Sequence, residues 1–217
     1  MIKNKDLKRR IIEISYKLKI GHIGSCLTAV DIIEEIYQQM KPDEKFVLSA
    51  GHAHLAHLVV KEKRSNQFPV YDIEGIIKQY GIHCDREAGC DVSTGSLGHG
   101  IGIAVGMALA DRTKNVYCLV SDGELAEGSV HEAVRIWHEQ RLMNLNIYVN
   151  FNGWGAYKKI DDLYQLFRFT DMDKPMFIDV RETYHEMWNY PKWLQGQIAH
   201  YKVLNKQEYN ELIKLLK

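Results

Sequence analysis

Residues 115–152 read NVYCLVSDGELAEGSVHEAVRIWHEQRLMNLNIYVNFN, and the order of patterns in this stretch decides the fold. The apolar run NVYCLVS reads as a strand, ELAEGSVHEAVRIWHEQ as a helix, and NLNIYVN as a second strand. A strand, a helix and a strand within about 35 residues form a βαβ unit, with parallel strands and a right-handed crossover.

The rest of the chain extends this unit. Leu7, Ile11, Ile14 and Leu18 recur at helical spacing, a glycine-bearing break follows at Gly21 to Gly24, and Ala29 to Met40 resumes the period. Phe46 to Ser49 reads as a short strand that turns through Gly51 into an apolar helix. Residues 81–95 are polar and glycine-bearing, hence loop, and a Gly- and Ala-rich helix starts at Gly98. KPMFIDVRE supplies another strand near 176–180, and the tail from Lys206 is an amphipathic helix. With no repeat and no linker, residues 1–217 are expected to form a single α/β domain.

Composition narrows the function. Twenty-eight basic residues balance 28 acidic ones, which leaves no electrostatic footprint for nucleic acid or an anionic membrane. The N-terminus starts with charges and never reaches an apolar core of signal-peptide type, and no stretch has the roughly 18–20 apolar residues of a membrane helix. The four cysteines (Cys26, Cys84, Cys90 and Cys118) show no paired CxxC spacing, and Cys118 sits in an apolar run as a small buried residue. A reduced, cytoplasmic setting is expected.

In an open parallel sheet, ligands bind beyond the carboxyl ends of the strands. Asp122 ends one strand there, and Asn150 and Asn152 end the next. Hard oxygen donors of this kind suit Mg²⁺, which shares its octahedron with phosphate oxygens and water. Gly123 lets a backbone N–H face an anion near the start of the crossover helix. An Asp-Gly pair before a helix also serves as a turn that caps the helix. A dinucleotide reading of Gly98-His99-Gly100-Ile101-Gly102 lacks the strand that must precede the first glycine, so these glycines are expected to make a close-packed helix start. His22, His52 and His83 each lie at a break between elements, where a scaffold displays functional side chains.

At these residues the chain resembles a known family. GHIGSCLTAVDIIEEIY, FVLSAGHAHLA, VSTGSLGHGIGIAVGMALA and SDGELAEGSVHEA followed by NFNGW resemble the successive signatures of transketolases, from about Gly21 to Trp154. The resemblance implies a three-layer αβα fold with a mostly parallel central sheet, the diphosphate-binding domain of thiamine-diphosphate enzymes, shortened in its C-terminal part. It implies thiamine diphosphate held through Mg²⁺, with Ca²⁺ as a possible substitute. Asp122, Asn152 and the Trp154 carbonyl are then the metal ligands, with Asn150 supporting them. Gly95 and Leu97 fall at the thiamine ring, Ser96 is counted with the cofactor-binding residues, and Ser121, Gly123 and His52 fall at the diphosphate. His22 and His83 face the substrate, and His200 is the counterpart of a further family histidine, so His22, His52, His83 and His200 form the implied catalytic set. Glu127, counted with the cofactor-binding residues, and Glu132 match acids that link paired active sites across a dimer.

The implied activity is that of a transferase moving a two-carbon ketol unit between sugars or sugar phosphates. Neutral histidines suit the required proton transfers near pH 7, while the cofactor carries the hard chemistry. No segment corresponds to the pyrimidine-binding domain that holds the family's catalytic glutamate. The expectation is therefore a split enzyme: this chain as N-terminal subunit, with a separate polypeptide carrying the pyrimidine-binding and C-terminal domains, and two copies of each in the assembly. The other readings are a different thiamine-diphosphate carboligase, a condensation such as deoxyxylulose-phosphate synthesis, or a non-catalytic regulatory partner. Three departures stand out: Ser121 where the family has glycine, Ile23 in place of proline, and His99 in place of glutamine.

Overall fold

The computed structural model describes residues 2–64, 72–155, 158–160 and 178–217. Its centre is strand β2 (Val116–Ser121), buried at every position, as a strand with both faces covered must be. β2 pairs in parallel with β1 (Lys45–Leu48) on one side and β3 (Leu145–Phe151) on the other, and β3 pairs in parallel with β4 (Asp179–Glu182). The sheet order is β1-β2-β3-β4. Residues sent to opposite faces by the period-two pleat bury two separate cores. Phe46, Leu48, Tyr117, Leu119 and Tyr148 pack beneath the helices α1 (Lys5–Leu18), α2 (Ile23–Gln39), α3 (His54–Lys63) and α4 (Ile73–Tyr80). Val47, Cys118, Val120, Ile147 and Val149 pack against α5 (His99–Ala110) and α6 (Gly128–Glu139). The result is the expected three-layer αβα sandwich.

Three boundaries differ from the sequence reading. The second helix starts at Ile23 rather than near Ala29, because His22 makes the turn in a left-handed conformation (φ 59°) and Gly24 continues the helix against Ala199 and Met187. The helix expected from Glu124 onward is broken: a 3-10 turn covers Asp122–Ala126, Glu127 is extended, and α6 starts at Gly128. The last strand lies at Asp179–Glu182, where Tyr148 pairs with Asp179; residues 176 and 177 of the expected strand lie outside the described residues. So does most of the span between Asn152 and this strand, on which the expectation of a shortened body rests.

The start of α5 is close-packed, as expected. Gly98 has φ +77°, and a Cβ on Gly100 would lie 2.6 Å from the Ser49 Cα, so a side chain there would collide with the end of β1. After β4 come a short helix, α7 (Tyr184–Met187), two 3-10 turns, and the terminal helix α8 (Lys206–Leu215), capped by Asn205. Buried Lys8 on α1 pairs with Asp31 on α2 (2.5 Å) and Glu186 on α7 (3.3 Å), which ties this C-terminal segment to the body. No helix of the described residues is long and apolar enough to cross a membrane.

Candidate active site

The carboxyl ends of β1, β2 and β3 open into one cleft of about 230 Å³. Its floor is Ser121, Gly123, Asn152 and Trp154; Gly95 and Leu97 form one lip; His22, His52, His83, His200 and Tyr201 close the other sides.

Four segments far apart in sequence deliver the histidines. His22 precedes α2, His52 sits in a 3-10 turn after β1, His83 lies in the loop before α5, and His200 is in the 3-10 turn Gln197–Tyr201. The His22 ring centroid lies 4.6 Å from that of His200, 5.4 Å from His52 and 6.2 Å from His83. Glycines permit this display: a Cβ on Gly51 would lie 2.7 Å from the Thr94 carbonyl, and one on Gly95 would meet the His83 ring at 3.2 Å. Burial, reinforced by the neighbouring imidazoles, pushes His22 down to about 4 and His52 down to about 3. Burial also lowers His83 and His200. All four rings are therefore neutral near pH 7. The buried Nδ1 of His22 has no hydrogen-bond partner among the described residues, which leaves it free for a ligand.

Beneath the cleft, Asp122 is fully buried. One carboxylate oxygen accepts from the Gly123 N–H (2.9 Å) and the other from the Gly153 N–H (2.6 Å). Burial raises its pKa to about 7 against these hydrogen bonds, and no lysine or arginine offsets it among the described residues. Asn152 stands beside it, its Oδ1 accepting from the Trp154 N–H at 3.0 Å. A desolvated carboxylate without a cationic partner, next to a carboxamide oxygen and an open cleft, fits a hard divalent cation.

Other expected residues fall elsewhere. Asn150 turns away from Asp122: its Nδ2 donates to Thr28 (3.0 Å) and its Oδ1 accepts from Thr183 (2.6 Å), so it clamps β3 between α2 and the segment after β4. Ser96 is exposed and does not line the cleft. Glu127 lies outside the cleft at the start of α6, and Glu132 is exposed on α6 beside Arg135.

One residue the sequence reading passed over organises the floor. The buried Glu124 carboxylate accepts from Ser49 Oγ (2.6 Å), Gly98 N–H (3.0 Å), Ser121 N–H (2.8 Å) and Ser121 Oγ (3.2 Å). It joins the ends of β1 and β2 to the start of α5. The signal was present as Ser121-x-x-Glu124, a capping-box pattern at a strand-to-turn junction. It also accounts for the departure at Ser121, whose hydroxyl is turned toward Glu124.

Residues 8–156 match the family described as the transketolase, thiamine diphosphate binding domain. The chain is 33% identical over 164 residues to an apulose-4-phosphate transketolase subunit from Phocaeicola vulgatus, covering 67% of this chain and 58% of that protein. It is 33% identical over 168 residues to a 6-deoxy-6-sulfo-D-fructose transketolase subunit from a Clostridium species, covering 67% of this chain and 60% of that protein. The match thus spans about three-fifths of either relative. A transketolase from Pichia stipitis, solved in complex with sedoheptulose-7-phosphate, superposes with a TM-score of 0.61 at 21% identity, over 74% of this chain and 29% of that one. Sequence match and shared fold agree, and the chain belongs to the transketolase family, whose thiamine-diphosphate-binding domain it carries.

Proposed function

We propose that this chain is the diphosphate-binding subunit of a transketolase-type enzyme, binding thiamine diphosphate through Mg²⁺ and transferring a two-carbon ketol unit between sugars or sugar phosphates. The observation that carries this reading is the buried, uncompensated Asp122 beside Asn152, at the strand ends under four neutral histidines. Asp122, the Asn152 side chain and the Trp154 carbonyl would hold the metal, and the Gly123 N–H and His52 the diphosphate. Thiamine diphosphate, when bound, supplies the carbon nucleophile for cleaving a ketose beside its carbonyl.

The chain's own residues bind, orient and move protons. His22, His83 and His200 surround the open part of the cleft as neutral imidazoles, each able to give one N–H and take one proton at substrate hydroxyls. Several neutral donor-acceptors around one cleft suit a polyhydroxylated substrate better than a simple keto acid. The apolar edge of Leu97 and the aromatic ring of Tyr201 help exclude water from the site.

Two relatives named as transketolase subunits support a heteromeric enzyme. In this reading a separate polypeptide supplies the pyrimidine-binding part, two copies of each chain assemble, and Glu127, just before α6, and Glu132, on it, face the second copy. Calorimetry with thiamine diphosphate and Mg²⁺, with and without a partner chain, tests the binding. A ketol-transfer assay tests the division of labour: turnover is expected only with the partner, and robust turnover by this chain alone would sink the split-enzyme reading.

A further inference from the structure

A second cluster of side chains lies outside the cleft and takes no part in the chemistry above. His54 and His57, one turn apart on α3, face Cys84 and Cys90 of the loop 81–98. All four residues are buried, and their ligating atoms lie within 4.8 Å of one another. Cys90 Sγ is 3.3 Å from His54 Nε2 and 3.8 Å from His57 Nδ1. In a tetrahedral zinc site, bond lengths of about 2.3 Å to sulfur and about 2.0–2.1 Å to nitrogen put neighbouring S and N ligands about 3.6 Å apart. The two observed separations bracket that edge.

We infer that His54, His57, Cys84 and Cys90 form a structural Zn²⁺ site that fastens the His83-bearing loop to α3. Two imidazoles and two thiolates are the borderline-soft, closed donor set of structural zinc, unlike the hard oxygen set at Asp122. The ring nitrogen of His57 that points away from the cysteines is 2.7 Å from the Tyr37 hydroxyl, the outer hydrogen bond that fixes a ligating histidine. The buried Nδ1 of His54 has no hydrogen-bond partner among the described residues, so Cys90 Sγ on Nε2 is the polar contact that this ring shows. The loop backbone is folded to bring the sulfurs together: Cys90 N–H donates to the Asp85 carbonyl (3.1 Å) and Thr94 N–H to the Cys84 carbonyl (3.0 Å). Binding displaces two thiol protons to solvent and leaves the Cys₂His₂ centre neutral, as its burial requires.

The site is placed to matter, since Cys84 follows His83 directly. The far end of the loop is already held, by Asp91 on the Phe46 N–H (3.0 Å) and Thr94 Oγ1 on the Leu48 carbonyl (2.6 Å). The metal would fix the near end, and with it the His83 ring against Gly95.

The test is metal analysis of the full chain, produced with zinc in the medium and purified under reducing conditions. About one zinc per chain is expected, and replacement by Co²⁺ should give thiolate-to-cobalt charge-transfer absorption with tetrahedral d–d bands. Cys84→Ser and Cys90→Ser should each lose the metal, whereas Asp122→Ala should keep it, separating this site from the proposed Mg²⁺ site. Tyr37→Phe should weaken zinc affinity roughly 10–100-fold in chelator competition. Wild-type chain that takes up neither zinc nor Co²⁺ with sulfur ligation overturns the inference, and so does a Cys84–Cys90 disulfide found under those reducing conditions. Should the cysteine variants fail to fold, the wild-type zinc content and cobalt spectrum decide alone.

Discussion

The backbone N–H of His22 donates to the carbonyl of His200 at 2.9 Å, and the two rings meet edge to face with centroids 4.6 Å apart. The backbone bond holds the two segments together whatever the side chain at position 200 is. Replacing His200 by Ala should therefore leave stability within about 1 kcal/mol, since only a half-buried ring is lost. Ketol-transfer kcat/KM, assayed with the partner, should fall by about 10²-fold or more, the usual worth of a positioned proton-transfer group. A loss below tenfold would exclude a catalytic role for this ring.

The histidine cluster sets a pH dependence whose sign follows from burial. His22 and His52 titrate in the folded chain near 4 and 3, below the unfolded value of 6.5. Below about pH 6.5 the unfolded chain takes up protons that these two folded rings refuse, so their contribution to stability should fall as pH drops from about 6.5 towards 4, opposed by Asp122, whose raised value makes the folded chain bind a proton first. Imidazole proton shifts followed by NMR should show His22 and His52 still neutral at pH 5. Titration of either ring near 6.5 would contradict the burial argument.

Asp122→Ala removes the carboxylate beneath the cleft that faces the strand ends and, among the described residues, lacks a cationic partner. Mg²⁺-dependent binding of thiamine diphosphate, measured by calorimetry, should be abolished with circular dichroism unchanged. Binding equal to that of the unaltered chain would refute the ligand assignment.

Glu124 and Ser121 test the floor itself. Glu124→Ala leaves the Ser49 hydroxyl and the Ser121 and Gly98 N–H groups unpaired in the interior and should cost roughly 3 kcal/mol or more. Ser121→Gly, which restores the residue usual in the family, should cost only about 1 kcal/mol, the net worth of one hydrogen bond. Urea denaturation compares the two, and cofactor affinity should be unchanged in Ser121→Gly because the hydroxyl serves Glu124.

Gly100→Ala should destabilise the chain by about 1–3 kcal/mol through overpacking, because the added methyl has backbone rather than a yielding side chain in its way. A midpoint of urea denaturation equal to that of the unaltered chain would show that α5 can shift away from Ser49.

What the sequence made legible follows from how local each signal was. The βαβ unit and the Asp122–Asn152 pair lie within one stretch of pattern, so strand ends and the residues proposed as ligands could be placed together. His22, His52 and His83 announced themselves by sitting at breaks. The spacing of residues gave no route to the zinc-type cluster, because the pair one turn apart on α3 and the loop cysteines meet only through tertiary packing. Asn150 shares its pleat face with Asn152 but lies within β3, where Thr28 and Thr183 take up its carboxamide, partners that only tertiary packing brings to it. Glu127's separation from the cleft likewise depends on the break after Ala126, which helical periodicity does not reveal.

The contact between His22 and His200 also has a kinetic meaning. It joins positions 178 residues apart, while the sheet pairings on which it rests, β1 with β2 and β2 with β3, join much nearer segments. Long loops close late because their entropy must be surrendered before any contact rewards it. The sheet and its floor should therefore consolidate first, and the four-histidine ring should be completed only when the segment around His200 docks. During synthesis the emerging chain would then carry a formed cleft floor with an unfinished wall.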